Sequence, residues 1–243
     1  MMVQLRSALR LLTIVPLRWD EREAKLTPGR TVGWFPIVGL GIGAVLYATM
    51  LMPIPALPRA ALCLVVWIII TGGLHEDGAM DCADAAIAPV DAERRAAIRK
   101  DPHVGAHGVT TAALLIVARF AALAAVPAPA VLLAPVVGRW SMTITLSRFR
   151  PHASSALGAA YSHGAGALPA SVTAALIVAL LAAWQHEVRL LIAAAAGLLG
   201  AFLCVQWLVN RLGGASGDVH GAAGLIAETI TLYAMLIRTD VSS

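Results

Sequence analysis

Three aspartates, Asp77, Asp81 and Asp84, stand at i, i+4 and i+7 within Thr71–Pro89, a segment that reads TGGLHEDGAMDCADAAIAP. On a helix that spacing places them on one stripe. Like charges one turn apart disfavour a helix by ~0.2–0.5 kcal/mol per pair, so the stripe predicts a compensating cation. Carboxylate oxygens are hard ligands, and Mg²⁺ typically takes one or two of them together with substrate phosphates. A solvated acidic face without function is the plainer alternative. Against it, acids are scarce: five of the chain's 14 (Glu76, Asp77, Asp81, Asp84, Asp91) fall within residues 75–91, beside an apolar run. Gly72, Gly73 and Gly78 flank the stripe and permit close backbone approach. His75 adjoins it and suits a ligand, a general base or a phosphate contact.

Two further segments carry chemistry. In Lys100–Gly108 (KDPHVGAHG), Asp101 adds a carboxylate, and His103 and His107 have the i, i+4 spacing of a zinc pair. Pro102, Gly105 and Gly108 argue against a regular helix through it. A glycine turn opening the next apolar run, with Gly105 and His107 offered to phosphate, fits those residues better. In Arg211–Gly221 (RLGGASGDVHG), Asp218 is the only acid, among glycines that include Gly214 and Gly217. Glu228 follows inside an apolar run, where a carboxylate is costly; it is either functional or the buried partner of an arginine. Arg119 and Arg139 also lie inside runs, and each is expected to pair with a carboxylate or to hold a phosphate. Arg148 and Arg150 suit an anionic substrate, because a guanidinium fork binds two oxygens at once. Acids for metal, arginines for phosphate and glycine turns at helix mouths suit phosphoryl transfer, where catalysis is mostly positioning and charge neutralisation.

Positioning these groups falls to elements that are mostly apolar. Of 243 residues, 59% are hydrophobic and 13% charged, and the mean hydropathy is +0.79. Soluble domains carry about 25% charged residues; a chain this apolar is expected in lipid. Apolar runs cover roughly 33–51, 60–74, 109–126, 131–147, 171–184, 190–209 and 222–237. These predict an all-α, polytopic membrane bundle of about seven runs, forming one domain over 1–243. Residues 1–17 alternate apolar and basic positions at helical spacing, which suits a helix lying in the interface. No signal-peptide pattern follows Arg6 and Arg10. Cys63, Cys82 and Cys204 form no C-x-x-C pair.

The runs pair through tight connections, whereas 75–108, 148–170 and 210–221 are long or polar. With a cytoplasmic N-terminus all three polar connections fall on the cytoplasmic side. Of the 18 Lys and Arg, 13 then lie inside, three (Arg59, Arg189, Arg238) outside and two (Arg119, Arg139) within runs, as the positive-inside rule requires. The net charge of +4 sits beside spans rather than in a stripe, so no nucleic-acid partner is expected.

At these residues the chain resembles a known family. HEDGAMDCADA is similar to the H-x-D-G-x-x-D-x-x-D-G signature of the cobalamin synthases, also called adenosylcobinamide-GDP ribazoletransferases. IRKDPHVGAHG looks like that family's M-R-D-S-x-x-G-x-x-G segment, and RLGGASGDVHGAA like its G-G-x-T-G-D-x-L-G-A loop. LRLLTIVPL, GWFPIVGLGIGAVL and the spacing of Arg139, Arg148 and Arg150 also match, so the likeness spans nearly the whole chain. Departures include Glu76 at a usually apolar position, Ala85 for the last signature glycine, Pro102 and His103 for a serine and a basic residue, Ser216 for threonine and Leu225 for an acid or amide.

The resemblance implies an integral membrane enzyme of the bacterial or archaeal cytoplasmic membrane that uses Mg²⁺. Its reaction would join adenosylcobinamide-GDP and α-ribazole, or the 5′-phosphate of α-ribazole, with release of GMP. By motif, it implies Asp77, Asp81, Asp84 and Asp218 for metal and His75 or Asp101 as base or orienter. Arg139, Arg148 and Arg150, with Gly105, His107, Gly214 and Gly217, are implied for substrate. Association with further copies, or with other cobalamin-assembly enzymes, is compatible with it. A CDP-alcohol phosphotransferase would need D-G-x-x-A-R followed by G-x-x-x-D-x-x-x-D, which is not present after Asp77. A secondary transporter would show paired broken helices in inverted repeats.

Overall fold

The computed structural model describes residues 2–18, 21–26, 28–98, 101, 103–152 and 166–237. Lys100, Pro102, Arg238 and most of the middle polar connection, named above, lie outside them. The described chain is helical, and its only extended pairing is an isolated parallel bridge between Pro151 and Ala215. Helix α1 spans Met2–Leu12, with Ala8 and Leu12 buried and Met2 and Arg10 exposed. Two short turns, Glu21–Lys25 and α2 (Pro28–Thr31), lead through Val32–Trp34 into α3 (Phe35–Met50). There follow α4 (Ala56–Thr71), α5 (Leu74–Ile87), α6 (Ala92–Ile98), α7 (Ala106–Ala125), α8 (Ala130–Arg148), α9 (Ala167–Gln185), α10 (Arg189–Leu212) and α11 (Gly217–Ala234).

Among the described residues, five helices are long and apolar enough to cross a membrane: Pro28–Met50, α7, α8, α9 and α10. A sixth crossing arises if α4 and α5, bent by 84°, count as one span. Of the roughly seven runs expected, two do not form separate lipid-facing spans, for two reasons. The run at 60–74 ends in Gly72 and Gly73, at φ 64° and 67°. Two successive left-handed residues end α4 and turn the chain sharply, and glycine adopts them without steric cost. The run at 222–237 belongs to α11, which holds Asp218 and Glu228 and is buried on nearly all sides. It is a core helix rather than one facing lipid.

α8 is the most buried of the five spans, with α3, α11, α10 and α9 packed around it. α11 also packs on α5, and α5 on α7. The outer helices show apolar side chains outward: Leu114 and Val117 of α7, Leu176 and Leu180 of α9, and Leu199 and Leu203 of α10. With no charge to solvate them, those faces suit acyl chains. One contiguous core runs from Ala8 to Met235.

Candidate active site at the polar end of the bundle

The chain order brings the ends of α4, α8 and α10 and the starts of α5, α7, α9 and α11 to one end of the bundle. Backbone contacts tie those connections together. His152 N–H donates to Ala215 O at 2.8 Å, and Ala215 N–H to Arg150 O at 2.9 Å. Arg95 Nε donates to Ala85 O at 2.9 Å and Arg211 Nε to Ala86 O at 3.1 Å. These two guanidinium groups satisfy carbonyls at the C-terminal end of α5, where cations are also favoured by the helix dipole.

On α5 the stripe forms as the spacing predicts, but its three acids have different surroundings. Asp77 and Asp81 are exposed, and Asp84 is half-buried. The Asp84 carboxylate accepts the N–H of Gly105 at 2.8 Å on one oxygen and that of Gly108 at 2.8 Å on the other. It therefore caps α7 from another helix, satisfying N–H groups that a helix start leaves unpaired. A Cβ on Gly105 or Gly108 would overlap that carboxylate, which accounts for the glycine at each place. Gly105 thus serves Asp84 in this structure, and His107 is exposed on the first turn of α7. Asp101 is exposed and accepts the backbone N–H of His103 at 2.9 Å, with the His103 ring at 2.7 Å. That backbone N–H, then the ring, holds the Asp101 carboxyl below the usual carboxylate range.

Asp218 arrives from α11. The helix is capped by Ser216, whose Oγ accepts Val219 N–H at 3.4 Å and donates to Asp218 Oδ2 at 3.1 Å. Gly78, between Asp77 and Asp81, lies against the Asp218 backbone: an added Cβ would stand 2.9 Å from its Cα and 3.0 Å from its carbonyl oxygen. The fourth acid therefore sits beside the stripe, on the same side of the bundle.

Among the described residues, no three His, Cys, Asp or Glu side chains already stand grouped as metal ligands. A cation held by one or two carboxylates and by phosphate oxygens needs no such trio. The hard oxygens of one or two of Asp77, Asp81 and Asp218 would fit that mode.

The remaining candidates fall into three places. His75 is buried and lines a cavity of about 200 Å³ with Asp218 and His220. His220, not singled out from sequence, is buried and contacts Thr145 Oγ1 at 3.0 Å; its place two residues after Asp218 was the available signal. Arg148 and Arg150 are exposed on a wider groove of about 630 Å³ that also includes Phe149, Gln206 and Gly214. Gly217 is exposed at the start of α11.

Arg139 is elsewhere. It is fully buried and ion-paired with Glu228, so of the two expectations for it the structure shows pairing with a carboxylate. The other Glu228 oxygen meets Arg119 Nη2 at 3.3 Å, and Arg119 Nη1 meets Glu76 at 2.6 Å. The Arg119 guanidinium also lies 4.2 Å from the centroid of the Trp67 ring. Two arginines and two glutamates thus balance one another within the helices, and Glu76 is explained by its partner. α4 and α5 are the only sharply bent pair among the described residues; the transporter alternative expects two.

Comparisons with known proteins agree with the motif reading. A family model described as cobalamin-5-phosphate synthase matches residues 4–236. An adenosylcobinamide-GDP ribazoletransferase of Synechococcus sp. is 35% identical over 234 residues, 90% of each chain. The enzyme of that name from Pseudomonas fluorescens is 34% identical over 241 residues, covering 95% of this chain and 98% of its own. That from Desulforamulus reducens is 32% identical over 250 aligned positions, 99% of each. No solved structure matches.

Proposed function

The chain belongs to the cobalamin-5-phosphate synthase family, and from that membership we propose that it joins adenosylcobinamide-GDP to α-ribazole or its 5′-phosphate at the face bearing Asp77, Asp81 and Asp218. A ribazole hydroxyl oxygen attacks the phosphorus nearer the cobinamide. That P–O bond forms as the bond to the bridging oxygen breaks, and GMP leaves with the bridging oxygen. The hydroxyl proton passes to solvent at that exposed face; Asp101, a carboxylate held ionised by its own turn, is a weak base for it. His75 is assigned to substrate orientation. Arg148 and Arg150 are assigned to the diphosphate, whose charge a planar fork matches. Asp77, Asp81 and Asp218 would hold Mg²⁺, which neutralises phosphate charge when bound.

The observation that supports this reading is the approach of the Asp218 backbone to the α5 stripe at Gly78, which brings two distant motifs together. The excess of Lys and Arg on the connections at that end supports a cytoplasmic orientation in a cytoplasmic membrane. The test is GMP release by purified protein in liposomes, with each substrate and Mg²⁺ omitted in turn. Release that needs all three is expected. GMP formed without ribazole, or without a divalent cation, would overturn the assignment.

A further inference from the structure

We infer that the cavity beside Asp218 is the seat of the flat bicyclic base of ribazole. The inference rests on the ribazole-transfer reading and adds to it which part of the substrate goes where. Leu12, Phe35, Met142 and Leu146 make the cavity walls largely apolar, yet His75 and His220 also line it. His75 is 2% exposed, and its Nε2 has no hydrogen-bond partner among the described residues. A buried polar atom is normally satisfied, so an orphaned ring nitrogen lining a cavity points to a ligand.

The ligand's chemistry follows from the lining. A volume of about 200 Å³ suits one compact ring system rather than a nucleoside or a corrinoid. A dimethylbenzimidazole offers apolar faces and methyl groups to the walls. Its one ring nitrogen not bonded to the sugar can accept from His75 Nε2–H. A purine would carry further polar atoms into walls without partners, at a desolvation cost. An acyl chain would leave His75 unsatisfied. Asp218 lines the cavity and its backbone lies against Gly78 of the α5 stripe, so a base seated here places its ribose next to the proposed reaction face.

Free 5,6-dimethylbenzimidazole is the probe, with binding to the reconstituted full chain followed by the fluorescence of the base. Saturable binding, displaced by ribazole, is expected. Gly221→Ala adds a carbon that the fold accommodates, 3.7 Å from His75 Cα, and narrows the cavity. It should weaken binding of the probe and raise the KM for ribazole by about tenfold, a usual cost of one misfitting carbon in an apolar pocket. The KM for adenosylcobinamide-GDP should stay unchanged. Leu146→Ala, which widens the cavity, should instead relieve discrimination against bulkier bases. Absence of saturable binding by the wild-type protein, or binding indifferent to both substitutions, overturns the inference even if turnover is normal. Probe binding as expected with no joined product would leave the cavity assigned and remove the reaction reading.

Discussion

Gly78 of α5 touches the backbone of Asp218 of α11, with 2.9 Å between the site of an added Cβ and the Asp218 Cα. Neither helix can yield locally, because both contact atoms are main chain. Gly78→Ala should therefore push α5 and α11 apart. Overpacking of this kind costs about 1–3 kcal/mol, and the separation of Asp218 from Asp77 and Asp81 should lower kcat by more than about tenfold. Thermal unfolding in detergent and GMP release check the two effects separately.

Asp84 is predicted to behave unlike the other acids of its stripe. Asp84→Ala leaves the N–H groups of Gly105 and Gly108 unpaired and should cost about 1–2 kcal/mol, as loss of a helix cap does. Asp84→Asn keeps one acceptor and should lose less. The Mg²⁺ concentration for half-maximal activity should stay unchanged in Asp84→Asn and rise in Asp77→Asn.

Glu228→Leu should be severely destabilising, because it strands Arg139 in the helix core and removes one partner of Arg119. Removing one member of a buried pair costs ~3–5 kcal/mol. Adding Arg139→Leu should restore much of the loss, since Arg119 keeps Glu76 and Trp67. Thermal denaturation of the single and double variants measures the coupling. If Arg139 held substrate phosphate instead, the stabilised double variant would show a raised KM for adenosylcobinamide-GDP.

Arg148→Ala and Arg150→Ala should each raise the KM for adenosylcobinamide-GDP by about tenfold or more, the usual scale for one charge-assisted hydrogen bond. Both side chains are exposed, so stability should hardly change. The KM for ribazole should not move. Steady-state kinetics with each substrate varied in turn separates these outcomes.

Much of this arrangement is legible in the residues alone. The i, i+4, i+7 spacing finds the α5 stripe, and the pairing of apolar runs puts Asp218 at the same end of the bundle. The capping role of Asp84 is harder to see, because its partners are main-chain N–H groups and only two glycines three residues apart mark the place. Arg139 and Glu228 each carry the signal of an intramembrane charge, but residue type does not tell a mutual pair from two separate sites. The bend at Gly72–Gly73 is hidden for a different reason: hydropathy runs on to the helix end, and only the left-handed backbone shows that α4 stops. His75 is conspicuous beside the aspartates, while its burial and unpaired Nε2 depend on α1, α3 and α8, which are remote in sequence.

The most direct test of the shared acidic face is Mg²⁺ titration of GMP release by Asp81→Asn and Asp218→Asn in liposomes. Both variants should need more Mg²⁺ than the wild-type protein and lose about a hundredfold or more in kcat, a loss on the scale of removing a group that stabilises transition-state charge. Their stability should stay near that of the wild-type protein. Wild-type turnover and wild-type Mg²⁺ dependence in either variant would contradict a site built from the stripe and Asp218 together.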